Sequence, residues 1–121
     1  MMNLATQAKS AQVLMKAFSN ACEHLKVSNT EKCAIIGVNP STLSRNQQKG
    51  FAPQSKTGEL QLQFIRLYRS LYAISGGDSA FMQHWFRSNN KALNAIPSHY
   101  VCSIVGLINT NEYLDAMRGK I

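Results

Sequence analysis

Residues 30–50, TEKCAIIGVNPSTLSRNQQKG, limit what this chain can fold into more than any other stretch, because they spell a helix, a tight turn and a second helix. Ser28 is placed to cap the first helix, with Glu31 three residues on to cap back. Gly37 offers a position where positive φ costs nothing, so the chain can turn sharply there. Asn39 then supplies an N-cap, and Pro40 falls on the first helical position, where its missing N–H is harmless. Ile36, Val38 and Leu43 are spaced to lock the two helices across the turn. The second helix, expected over about 40–48, presents Ser41, Thr42, Ser44, Arg45, Gln47, Gln48 and Lys49, with no acidic residue. That composition suits a helix offered to a DNA groove, although an αα-corner with a solvated second helix would show it too. Asn46 stands where such motifs usually carry an apolar or aromatic residue, so the second helix is expected to pack less firmly.

The remaining chain reads as helical throughout. A helix is expected from Ser10 to Leu25 after a frayed start over 1–9, with Leu14, Phe18, Ala21, Cys22 and Leu25 on one side. A turn-rich connector holds Pro53, with Gly58 just beyond it. Leu60, Phe64, Leu67, Tyr68, Leu71 and Ile74 then define a long helix over 59–75. Leu62, Ile65 and Tyr72 make that helix apolar on a second side, which nominates them for dimerisation with another copy. Gly76 and Gly77 stop it, and Asp78 or Ser79 caps a helix through Trp85 and Phe86. Two further helices are expected, one from Pro97 to about Gly106 and one from Asn111 to Arg118. Few segments alternate with period two, so the fold class is all-α. The division expected is a helix–turn–helix module over 1–57 and a helical C-terminal domain over 58–121.

Charge and composition narrow the function. The 121 residues are 45% hydrophobic, enough for a real core, and carry a net charge of +7 from 13 basic and 6 acidic residues. From Arg45 to Lys56 there are three bases and no acid, and Arg66 and Arg69 follow on the next helix. Such a stripe suits phosphate contacts, while a solvated face is the plainer alternative. No apolar run approaches the ~20 residues of a membrane span, and none resembles a signal peptide. A cytoplasmic location, with no membrane partner, is the expectation. Cys22, Cys33 and Cys102 lack metal-ligand spacing and read as buried hydrophobes; His24, His84 and His99 are equally scattered. No metal or cofactor is expected. The six carboxylates, mostly at helix starts or on polar faces, form no catalytic set, and enzyme is the weakest reading.

The C-terminal half carries a second signature. Trp85, Asn89, Asn90, Leu93, Pro97, Gly106, the string Tyr113-Leu114-Asp115-Ala116, and Arg118-Gly119 resemble the toxin-binding domain of the Xre/ParS/MbcA antitoxin family. The likeness spans about residues 13–119, and the closing string is its specific part. Asn94-Ala95-Ile96 replaces the family's glycine-rich loop, and the stretch from Gly106 to Tyr113 is about one turn short of the family pattern. The resemblance implies an antitoxin that binds a RES-domain, NAD-degrading toxin encoded by a neighbouring gene and represses its own operon through operator DNA. It places Trp85, Asn89, Asn90, Tyr113, Leu114, Met117, Arg118 and Lys120 at the toxin. From its residue type alone Trp85 reads as a core anchor rather than a contact, and Tyr113, Leu114 and Met117 read equally as side chains that close the core. A free-standing repressor and a protein-only adaptor with a vestigial helix–turn–helix are the competing functions.

Overall fold

A computed structural model describes residues 3–120, and among them every regular element is a helix. Seven helices follow in order: α1 Leu4–His24, α2 Asn29–Ile36, α3 Pro40–Arg45, α4 Lys56–Ser75, α5 Ser79–Arg87, α6 Pro97–Tyr100 and α7 Ile104–Arg118. The all-α expectation holds.

The helix boundaries follow from caps that act over three or four residues. Helix α1 begins at Leu4, six residues before the expected start, because the Asn3 side chain accepts from the Thr6 N–H at 2.8 Å. Residues 1 and 2 of the expected frayed segment lie outside the described residues. Helix α4 begins at Lys56 because Ser55 accepts from the Gly58 N–H at 3.0 Å, so Gly58 lies inside the helix. Gly76, in the left-handed region, ends α4 as expected.

The last two helices are divided differently from the expectation. Helix α6 is a single turn, and α7 runs unbroken from Ile104 through the segment expected to separate the two. Ser103 caps it by accepting from the Gly106 N–H at 3.0 Å. Gly106 is therefore a packing glycine near the start of α7. A Cβ there would lie 1.8 Å from the Tyr100 carbonyl oxygen, so α6 and α7 meet backbone to backbone at this point.

Helix α4 is the hub, packed against α1, α2, α5 and α7. Phe64 sits at its centre, edge-on to Phe18 of α1 (centroids 5.8 Å apart) and to Phe86 of α5 (6.1 Å). All three rings are buried, each contributing roughly 1.5–3 kcal/mol through removal from water. Ile35, Ile36 and Leu43 join this core from α2 and α3, and Leu107 and Leu114 from α7. Cys22 and Cys33 are buried as expected, whereas Cys102 is exposed, because Pro97, Ser98 and Val101 take the inward positions there. Burial pushes the Cys22 thiol up to about 12, leaving it an unreactive hydrophobe.

Candidate nucleic-acid and partner interface

The turn between α2 and α3 is built by the residues that the sequence nominated. The Ser28 N–H donates to Glu31 Oε1 at 2.9 Å, and the Glu31 N–H donates to Ser28 Oγ at 3.1 Å, a complete capping box. Gly37 adopts φ 70°, and Asn39 Oδ1 accepts from the Thr42 N–H at 2.8 Å. Leu43 is buried against Ile35 and Ile36, with Val38 packed at the margin. Ser41, Ser44 and Arg45 are left exposed and Thr42 half-buried, with the Arg45 guanidinium donating to Thr42 Oγ1 at 3.4 Å. Ser44 and Gln47 line a shallow cleft of about 290 Å³ shared with Asn29 and Cys33 of α2.

Asn46 shortens the second helix. Its side-chain amide donates to the Thr42 carbonyl at 2.7 Å and takes up a free acceptor at the helix end, while its backbone departs from helical angles. Helix α3 therefore stops at Arg45 rather than near 48, a rod of about 9 Å. Gln47, Gln48 and Lys49 remain exposed but lie in the turn that follows, which Gly50 closes by donating its N–H to the Asn46 carbonyl at 2.7 Å. The seven nominated side chains stay in one continuous segment, half helix and half turn.

A clamp from α5 holds this motif to the rest of the molecule, and nothing in the local sequence pattern announced it. Arg87 pairs with both Glu31 oxygens, one at 2.9 Å, and donates to the Lys26 carbonyl at 2.7 Å. Gln83 donates to the His24 carbonyl at 3.0 Å. The elbow these bonds secure contains Lys26 at φ 56°, unusual for a residue with a side chain. Hydrogen bonding from Arg87 outweighs burial and holds the Glu31 carboxyl down at about 2. The only sequence trace of this arrangement was the Glu31 half of the capping box.

The nominated C-terminal residues spread over two places. Trp85 is half-buried against the core, and Asn89 is exposed at the end of α5. Asn90 closes a tight loop: its side chain accepts from the Leu93 N–H at 3.1 Å, and its backbone exchanges two bonds with Ala95. Asn94 adopts φ 54° in that loop, so asparagine supplies the left-handed turn that a glycine would otherwise make. On α7, Tyr113 and Met117 are half-buried and Arg118 is exposed, as is Lys120 just beyond the helix. Leu114 is 1% exposed and belongs to the core, which corrects its assignment to a partner surface. Its position opposite α4 turns it inward. Arg118 is tied to α4, since it donates to the hydroxyl of Ser70, a buried residue of that helix, at 3.2 Å. Arg66 of α4 forms an ion pair with Asp115 of α7 nearby.

Leu62 and Tyr72 are about half-exposed, at 47% and 51%, and Ile65 is half-buried. The sequence reading missed the two most exposed large apolar side chains of the C-terminal half, Ile104 and Val105 at 66% each, and with them Ile108 at 37%. Their signal was present as apolar residues at i, i+1 and i+4, but Ile104 and Val105 were assigned to the preceding helix. Among the described residues no helix is long and apolar enough to cross a membrane.

Two known families match the chain. Residues 5–66, 62 of the 121, match the antitoxin Xre-like helix-turn-helix domain. Residues 70–120 match the antitoxin Xre/MbcA/ParS C-terminal toxin-binding domain. The chain belongs to the Xre-like antitoxin family, the antitoxin side of a toxin–antitoxin pair. A comparison with curated proteins found no match.

Proposed function

We propose that this antitoxin binds and neutralises a RES-domain, NAD-degrading toxin encoded by a neighbouring gene, and that the complex represses its own operon in the cytoplasm. In this reading residues 1–57 touch operator DNA, through Ser41, Thr42, Ser44, Arg45, Gln47, Gln48 and Lys49. Residues 58–121 hold the toxin, through the surface offered by Trp85, Asn89, Asn90, Tyr113, Met117, Arg118 and Lys120. The observation that carries it is the pairing of two matches in one chain, a helix–turn–helix whose exposed segment has no carboxylate between Glu31 and Glu59 and a C-terminal toxin-binding domain. Co-expression with the product of the adjacent gene tests it. A stable complex and preserved cellular NAD are expected; a neighbour that neither binds nor consumes NAD would refute the partner assignment.

A second reading has one observation in its favour. The α3 helix has only six residues and is closed by Asn46, leaving few side chains on a rigid support. If the toxin complex fails to shift the upstream DNA in a mobility assay, the chain is a protein-only adaptor with a vestigial motif.

A further inference from the structure

Helix α7 packs with its apolarity inverted. The side facing α4 and α6 carries Gly106 and two buried polar residues beside Leu107 and Leu114. Buried Thr110 donates to the Gly106 carbonyl at 2.7 Å. Buried Asn111 reaches Gln63 of α4 twice, at its carbonyl (3.0 Å) and its side-chain oxygen (2.9 Å). Ile104, Val105 and Ile108 point outward. β-Branched residues lose rotamer freedom in a helix, and packing is what offsets that loss. Here Ile104 and Val105 are packed over only about a third of their surface, and Ile108 only in part. Ile104 and Ile108 border a cleft of about 480 Å³ with Leu60 and Leu62 of α4, so the two helices form one apolar face.

We infer that this face, Leu62 with Ile104, Val105 and Ile108, is where a second copy of the chain docks. Charge selects that occupant. A protein at +7 repels its own copy over most of its surface. The neighbouring cleft on α4 shows the problem, since it is lined by Arg66, Arg69 and Arg118 with Leu62 and Ile65. A two-fold contact sets a patch against itself, and Arg69 and Arg118 set against their own copies would oppose it even with Arg66 paired to Asp115. The apolar face is rimmed instead by Lys56 and Glu59, opposite charges 3.8 Å apart, and by uncharged Gln63. It can meet its own image without net repulsion.

Position supports the same occupant. Leu60 and Leu62 lie in the span matching the helix–turn–helix domain, and α7 lies in the span matching the toxin-binding domain. A contact made by both ties two α3 helices at a fixed separation, as reading two half-sites demands. This narrows the dimer surface expected from sequence. Leu62 stays, whereas Ile65 belongs to the arginine side. Tyr72 lies about 15 Å further along α4, with its ring over Gly77.

Sedimentation velocity on the full chain alone, without toxin or DNA, tests the inference independently of the proposed partner. The wild-type chain should be dimeric at micromolar concentration, and Ile104→Glu should weaken association on the order of 100-fold by burying an unpaired charge. Tyr72→Ala should remain dimeric, and circular dichroism should show all three equally helical. A monomeric wild-type chain, or an Ile104→Glu dimer as tight as wild type, overturns the inference. So does a variant that stays dimeric but no longer binds the toxin, which would assign the face to the toxin. Should Ile104→Glu misfold, a nitroxide on exposed Cys102 of the otherwise unaltered chain gives a second readout. A short, defined spin–spin distance supports the contact beside Ile104, and its absence in a dimeric sample refutes it.

Discussion

The helix–turn–helix motif and the C-terminal half are held together by opposite means. Within α2 and α3 the hydrogen bonds that shape the turn join residues three or four apart, Ser28 with Glu31, Asn39 with Thr42 and Asn46 with Thr42, and the long-range hold on the motif comes from outside it, from Arg87. In the C-terminal half the bonds cross tens of residues: Asn111 to Gln63, Arg118 to Ser70, Arg66 to Asp115. The first kind shapes a local scaffold whose outer side chains are free to vary. The second kind makes the toxin-binding half depend on α4, so its surface and its stability are carried by the same helix.

Five substitutions would break or sharpen this contrast. The largest effect is expected from Gly106→Ala, because the new methyl meets the Tyr100 backbone and must push α6 off α7. A loss of about 3 kcal/mol in urea denaturation is expected. Gly37→Ala has open space around it and suffers only the left-handed φ, so about 1 kcal/mol is expected there. Next come Arg45→Ala and Lys49→Ala. Each should weaken operator binding by about 1–3 kcal/mol if it reaches a base edge, with no change in thermal midpoint, as measured by mobility shift and thermal melting. Because Arg45 is on the helix and Lys49 in the turn, unequal losses would reveal which part reads the DNA.

The smallest effect tests the joint between the two regions. The Glu31 carboxyl sits at about 2 in the folded chain against an ordinary 4.5. Its contribution to stability is thus complete above pH 4.5 and is lost as the pH falls through about 2. Arg87→Ala should flatten the acid-side slope of stability across that window and cost about 1 kcal/mol at neutral pH, since the pair is partly exposed. Denaturation midpoints measured from pH 2 to pH 7 would show it. An unchanged slope would mean that Arg87 does not hold Glu31.

The same contrast explains what could be read from the sequence. Ser28, Glu31, Gly37, Asn39 and Pro40 act within a few residues of one another, so their roles were visible as spacing. Gly106 was not legible. A glycine reads as a helix stop unless the carbonyl pressed against it is known, and that carbonyl belongs to a separate helix. Leu114 failed for a similar reason: a leucine in a closing helix faces inward or outward according to where α4 lies. Asn46 was legible as a departure from the usual pattern, but its effect, the early end of α3, needed the geometry of its amide on Thr42. Asn94 was legible as part of a segment standing where the family has a glycine-rich loop, but that it takes over the left-handed turn itself needed the backbone angle.

The grip of α5 on the elbow between α1 and α2 bears on how this protein can be dissected. Gln83 and Arg87 hold the carbonyls of His24 and Lys26 and the carboxylate of Glu31, so the recognition segment is mounted on a bracket rather than strung on a leash. A fragment cut between residues 66 and 70, where the two family matches part, would keep the reading helix and discard its mounting. In a pair of joined copies, the distance between the two recognition segments would be set by the C-terminal half.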